Sequence, residues 1–337
     1  MTLQKTIDAL CRVGQIFSTA ENVDLQTAAH KAYAKNKWFS AENIELSLSY
    51  WGKKLTLPQL QQWIEKEGIE ENSAPKTVGI VSAGNIPLVG LHDVVSALLA
   101  GHKVKVKLST DDEPLMLFFI QQFTLANPTL GQNIQAVDKL EGIDAAIATG
   151  SNNTARYFEY YFGKYPNIIR KNRNSIAVLT GNESVETMQK IGFDMMSYFG
   201  KGCRNVTQLW APQGYDWVKF LDALQGYVYL ADHNKYVNNY HYHRAILLLN
   251  KDEHLDAGFL LVREDRKIYS PIGMVNYAYY NDINEVKDFI TQNTDSIQCV
   301  VSENPAIENA VSPGQTQNPE LWEYADGVNT VAFLKGL

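Results

Sequence analysis

The stretch Lys76–Ser109, KTVGIVSAGNIPLVGLHDVVSALLAGHKVKVKLS, decides the fold. KTVGIVSAG is a β-branched run ending in small residues, which reads as a strand running into a loop. IPLVGLHDVVSALLAG has apolar residues at helical spacing and stops at Gly101. HKVKVKLS alternates strictly. It reads as a second strand with Lys103, Lys105 and Lys107 on one face and Val104, Val106 and Leu108 on the other. Strand, helix and strand in that order predict a parallel βαβ unit in a wound α/β sheet.

The same alternation runs outward from this stretch. GIDAAIATGS reads as a third strand, leading into Gly150 and a polar helix, and NSIAVLTG as a fourth. The helix SVETMQKIGFDMMSYFG follows, then further strands and helices from VTQLWAP to IQCVVSE that read as a second α/β unit. The tail DGVNTVAFLKGL reads as a closing strand. Upstream, TIDALCRVGQIF, SAENIELSLSYWGKKL and TLPQLQQWIEKEGI read as helices. The second opens with a Ser-x-x-Asn cap, and the third has proline near its start and glycine near its end. The expected organisation is a helical N-terminal segment over 1–72, one lobe over 73–192 to which the tail 300–337 returns, and another lobe over 193–299.

Composition excludes several classes of function. The chain has 337 residues, is 45% hydrophobic and 20% charged, and is ordinary globular material. A net charge of -7 without a basic block argues against nucleic acid as a partner. No apolar run has the length to span a bilayer, and the N-terminus lacks the order of a signal peptide. The three cysteines, Cys11, Cys203 and Cys299, are too far apart for a disulfide framework or a metal pair, so a reduced, cytoplasmic protein with no metal is expected.

SYFGKGCRNVTQLWAP holds the candidate nucleophile. Gly200 and Gly202 let the backbone around Cys203 bend sharply, and Lys201 and Arg204 favour its thiolate. Cys11 and Cys299 sit in apolar-periodic segments and read as packing residues. Asn85, in the loop after the first strand, either donates its amide to an oxyanion or only shapes an Asn-Ile-Pro turn. The lysine strand either reaches a phosphate or protects a sheet edge. Gly150 and Ser151 open a helix whose N-terminus attracts phosphate, without a GxGxxG fingerprint. His241 and His243 share a face if DHNKYVNNYHYHR is extended, and His243 is a possible proton donor.

The order of these segments resembles the aldehyde dehydrogenase superfamily, and within it the acylating branch of LuxC-type acyl-CoA reductases. Glutamyl phosphate reductase is a more distant cousin with a similar cysteine loop. The likeness covers residues 75 to 337 and is carried by ATGSNNTARYFEYY, FGKGCRNVTQLWAP and YSPIGMVNYAYYND. It implies an aldehyde dehydrogenase-like fold of two wound α/β lobes, with dinucleotide bound to the first lobe and the catalytic cysteine in the second. Cys203 then matches the nucleophile and Asn85 the oxyanion asparagine. Lys107 and Ser109 match ribose or phosphate contacts, and Gly150 and Ser151 the pair beside the pyrophosphate. The resemblance implies NADPH or NADH as cofactor, an acyl-CoA or acyl-carrier thioester as substrate, and a homo-oligomer.

Two departures bear on the activity. Hydrolytic members carry Glu-Leu-Gly-Gly, whose glutamate activates water, whereas the corresponding stretch IIRKNRNS has no glutamate. Lys267 stands where the family has a glutamate on the nicotinamide ribose. The expected reaction is reduction of an acyl thioester to an aldehyde. The alternatives are an acyltransferase that dispenses with hydride transfer and a non-catalytic subunit of a reductase complex.

Overall fold

Apolar residues recur at helical spacing from the start of the chain, and four helices form there: α1 (Leu3–Phe17), α2 (Val23–Lys35), α3 (Ala41–Lys54) and α4 (Leu57–Glu67). Ile7, Leu10, Val13 and Phe17 give α1 one buried stripe. Ser40 caps α3, its Oγ accepting from Asn43 N at 3.3 Å. Pro58 lies in the first turn of α4, and Gly68 ends that helix with φ 57°. The computed structural model describes residues 2–19 and 21–337.

Next come β1 (Thr77–Val81), α5 (Leu91–Leu99), β2 (Lys103–Lys107), α6 (Glu113–Ala126), α7 (Pro128–Gly131), β3 (Ile134–Ala136), β4 (Ala145–Thr149), α8 (Asn152–Phe162) and β5 (Asn167–Arg170). The five strands form one sheet in the order β3-β2-β1-β4-β5, and every pairing is parallel. Val78 and Ile80 of β1 share a continuous core with Leu10, Val13, Trp51 and Trp63 of the N-terminal helices. The helices and this sheet therefore belong to one unit, Met1–Asn172, to which Glu320–Leu337 returns.

The second unit is Arg173–Pro319. Its elements are β6 (Asn174–Val178), α9 (Val185–Met196), β7 (Val206–Pro212), α10 (Trp217–Ala223), α11 (Asn234–Asn250), β8 (Leu255–Asp256), β9 (Leu261–Glu264), β10 (Met274–Tyr280), α12 (Ile283–Gln292) and β11 (Ile297–Ser302). They build a sheet ordered β11-β6-β7-β10-β9-β8. All its pairings are parallel except β8 with β9. The last helix, α13 (Thr330–Lys335), lies in the returning segment of the first unit.

Both lobes have the α/β architecture expected from the alternation, with four differences in detail. NSIAVLTG is a strand, but it pairs with β7 and β11 in the second sheet. The first sheet is completed instead by two short strands, β3 and β5, which are too brief to show a period. The lysine strand β2 is no edge, since it pairs with β1 and β3. The tail is helical because Thr330, Val331 and Leu334 are buried at helical spacing and Asn329 Oδ1 caps Ala332 N at 2.8 Å. DHNKYVNNYHYHR enters α11, so His241 and His243 point to different faces.

Buried polar groups tie the returning segment down. Trp63 Nε1 donates to Tyr324 Oη at 2.9 Å, and His92 Nε2 lies 2.8 Å from Leu321 O. Arg170 pairs with Asp93 at 2.5 Å and donates to Thr330 Oγ1 at 2.8 Å. His102 Nδ1 accepts from Lys76 N at 3.1 Å, which leaves its proton on Nε2, 2.9 Å from Leu334 O. His102 is thus held neutral, and burial lowers the pKa values of both histidines.

A histidine whose folded pKa lies below its unfolded value stabilises the fold above about pH 6.5 and loses that contribution as pH falls. The urea midpoint of the wild type should therefore drop below about pH 6.5, and drop less steeply in His102→Gln. Identical slopes for the two proteins would remove His102 from this account.

Candidate functional site

In the first unit, parallel pairing places the ends of β1, β2 and β4 on one edge of the sheet. That edge carries Asn85 after β1, Lys107 and Ser109 at the end of β2, and Gly150 and Ser151 after β4. The strand order reverses at β1, which has β2 on one side and β4 on the other. An open α/β sheet binds ligands outside the carboxyl ends at such a point. Five of the candidate residues therefore share this edge.

Close contacts shape it. Any side chain at Gly84 would collide with Ser109 Oγ, so the loop carrying Asn85 rests directly on the β2–α6 turn. Ser151 caps α8, its Oγ accepting from Thr154 N at 3.2 Å. A Cβ at Gly150 would lie 2.8 Å from the Phe158 ring and 3.1 Å from Thr154 Cβ, so the chain runs close against the helix start there. Lys107 is exposed at the strand end. A glycine against a capped helix N-terminus, with a lysine on the same edge, fits the phosphates of a dinucleotide.

In the second unit, Cys203 sits half-buried in a turn between α9 and β7. The approach to it is bent, with positive φ at Tyr198 (52°), Phe199 (57°) and Gly200 (73°) in succession. One fully buried side chain holds the turn. Asn205 Oδ1 accepts from Gly202 N at 2.8 Å, and its Nδ2 donates to Asp194 O at 3.0 Å and Ser197 O at 2.8 Å. Asp194 in turn accepts from Gly314 N at 2.7 Å and from Thr316 N and Oγ1 at 3.1 and 2.7 Å. Burial raises the Asp194 pKa against those hydrogen bonds. Arg204 Nε donates to Thr316 O at 2.6 Å, so this cation also braces the 314–316 loop.

The sequence reading of Cys299 as a packing residue omits a polar contact. Its Sγ lies 3.1 Å from Ser175 Oγ, which also donates to Cys203 O at 3.1 Å. A narrow cavity of about 20 Å³ lies beside the bend, lined by Met195, Phe199, Gly200, Tyr236, Pro271 and Met274. His243 is half-buried on α11, where burial and then the charge of Arg263 lower its pKa. Lys267 is exposed, its Nζ 3.6 Å from Asp265. Its loop is fixed because Asn276 Nδ2 donates to Lys267 O and Tyr269 O, both at 2.9 Å, and Thr207 Oγ1 donates to Ile268 O at 2.6 Å.

Asn205, Asp194, Thr316 and Ser175 escaped the sequence reading. Asn205 had one available signal, a polar side chain between a glycine-flanked turn and a β-branched run, where it competes for backbone groups. The partners of Asp194 are more than a hundred positions away, and nothing local marks them.

No protein-family model and no curated protein matches the sequence. The fold does match solved structures. The NAD-dependent aldehyde dehydrogenase from Sinorhizobium meliloti superposes with a TM-score of 0.67 at 11% identity, over 90% of this chain and 71% of its own. The NADP-dependent glyceraldehyde-3-phosphate dehydrogenase from Bacillus halodurans, complexed with NADP, gives 0.67 at 14% identity, over 94% and 77%. The aldehyde dehydrogenase of Mycobacterium tuberculosis, complexed with NAD+, gives 0.65 at 13%, over 90% and 73%. The chain has the aldehyde dehydrogenase fold. No helix among the described residues is long and apolar enough to cross a membrane.

Replacing Asn205 by alanine leaves a buried N–H and three buried carbonyls without their side-chain partner. Asn205→Ala should lower stability by about 2–4 kcal/mol, and Cys203→Ala by less than about 1 kcal/mol. Urea unfolding compares them. Similar small losses for the pair would mean that the amide does not hold the turn.

Proposed function

We propose that this chain reduces an acyl thioester, such as an acyl-CoA, to an aldehyde, using NADPH or NADH and an acyl group carried on Cys203. The observation that carries the reading is the cysteine turn: a half-buried thiol on a bent backbone that buried hydrogen bonds hold in place. A structural cysteine needs no such frame. A mechanism that needs the Cys203 thiol suits a reducing, cytoplasmic compartment.

In this mechanism the Cys203 thiolate attacks the thioester carbonyl carbon. The new C–S bond forms as the bond to the CoA sulfur breaks, and CoA leaves as a thiolate that takes up a proton. The Asn85 amide donates to the oxygen on which charge develops, a contribution of about 3 kcal/mol for one such donor. Lys107, Ser109, Gly150 and Ser151 would hold the phosphates and ribose of the dinucleotide. When bound, the reduced nicotinamide would supply the hydride that takes the acyl group to the aldehyde level, and the C–S bond to Cys203 would then break to return the thiolate.

Arg170 supports reduction over hydrolysis. It lies in the stretch that corresponds to the water-activating glutamate of hydrolytic members, and its guanidinium is committed to Asp93 and Thr330. A buried arginine offers no base, so this residue supplies nothing that would activate water. NADPH is preferred to NADH, because an exposed lysine at the end of β2 suits a 2′-phosphate. Lys267 favours a second reading, an acyltransferase that passes the acyl group to another acceptor.

Intact mass measurement after mixing with acetyl-CoA or octanoyl-CoA should show one acyl adduct on the wild type and none on Cys203→Ala. Turnover should consume NADPH. An alanine variant that still reduced acyl-CoA at the wild-type rate would sink the mechanism. Acylation without any NADPH binding by calorimetry would select the acyltransferase.

A further inference from the structure

We propose that Asp112 and Ser47 are positioning residues for Asn85, acting through the Pro87–Leu88 peptide. The inference rests on the acyl-transfer reading above and assigns a role to the N-terminal helices. Ser47, on α3, donates its Oγ–H to Pro87 O at 2.8 Å. Asp112, at the start of α6, accepts the N–H of Leu88 on Oδ2 at 2.9 Å. Pro87 O and Leu88 N are the two polar ends of one peptide group, so both are gripped and the plane cannot rotate. Both gripping side chains are buried, at 4% and 1% exposure.

Three further features argue that this is more than loop packing. Leu88 has φ 56°, a backbone conformation that a leucine adopts only when its surroundings impose it. Asp112 Oδ1 is buried and has no hydrogen-bond partner among the described residues. An acid left half-satisfied in a core is costly, and an apolar residue would pack there without that cost. What the buried acid contributes there is the one bond it makes, to Leu88 N–H. Lastly, the other side of Asn85 is seated on the same turn, because Gly84 packs against Ser109 and Asp111. The loop is fixed at 84 and at 87–88, and Asn85 lies between.

The charge state agrees with this arrangement. Burial pushes the Asp112 carboxyl well above the usual carboxylate range, with the Leu88 hydrogen bond opposing and the neighbouring Asp111 adding to the rise. A neutral acid serves as acceptor as well as a carboxylate here, so an amide of the same shape should substitute for it. The sequence STDDEPL disguises the group, since an aspartate before a proline-led helix reads as a solvent-exposed cap.

The test uses the full-length chain and two reactions of Cys203. Acylation by octanoyl-CoA develops an oxyanion, whereas alkylation by iodoacetamide does not. Asp112→Leu and Ser47→Ala should each slow acylation by roughly tenfold and leave alkylation within about twofold. Asp112→Asn keeps the acceptor for Leu88 N–H and should restore most of the rate. In an Asn85→Ala background the same substitutions should cost nothing further, because a residue acting through Asn85 loses its effect with it. Losses that multiply in that background, or alkylation that falls in step with acylation, overturn the proposal. Should Asp112→Leu fail to fold, Ser47→Ala and Asp112→Asn still decide it. If Asn85→Ala acylates at the wild-type rate while Cys203→Ala does not react, this inference fails and the acyl-cysteine reading stands. If the wild type is not acylated, the reading beneath it fails as well.

Discussion

Parallel pairing of β1 with both β2 and β4 is the constraint on which the first unit depends. A parallel pair cannot be closed by a tight turn, so each connection must cross the sheet and return. The crossings deliver the loops that follow β1, β2 and β4 to one edge. Asn85, Lys107, Ser109, Gly150 and Ser151 are neighbours for that reason alone. The N-terminal helices complete the arrangement by adding Leu10, Val13, Trp51 and Trp63 to the core beneath it.

The second unit solves a different problem with polar groups. Asn205 pairs with one backbone N–H and three backbone carbonyls around its cysteine turn, and Asp194 extends the frame to the 314–316 loop. Buried polar groups of this kind are costly when only one partner is present and stabilising when the network is complete. Asp112 in the first unit is the contrasting case. One of its oxygens is bonded and the other is buried without a partner among the described residues.

Legibility varied with the range of the forces involved. Helices α1, α3 and α4 declared themselves through apolar spacing, Ser40, Pro58 and Gly68, all of which act within a few residues. Strands β1, β2 and β4 declared themselves through β-branched or alternating residues. The short strands β3 and β5 exist because a neighbour supplies their hydrogen bonds, and three or four residues cannot display a period. The tail was misread because TVAFLK suits a strand by composition. Its helical state follows from burying Val331 and Leu334 on one side and from the Asn329 cap. Cys203 stood out locally by its two glycines, whereas Ser175 and Thr316, which reach its turn from afar, did not.

What the sequence determined by itself was therefore local: the alternation of strand and helix, the sharp turns at glycine, the chemistry available at Cys203, Asn85 and Lys107, and the absence of a glutamate in IIRKNRNS. These follow from backbone sterics, side-chain period and residue type, none of which needs a distant partner. Only the tertiary structure decided which sheet NSIAVLTG joins, which buried side chains grip the cysteine turn and the Pro87–Leu88 peptide, and which unit the last eighteen residues return to. Those outcomes depend on pairings between residues far apart in the chain, and such pairings are selected by burial and hydrogen-bond satisfaction across the whole core.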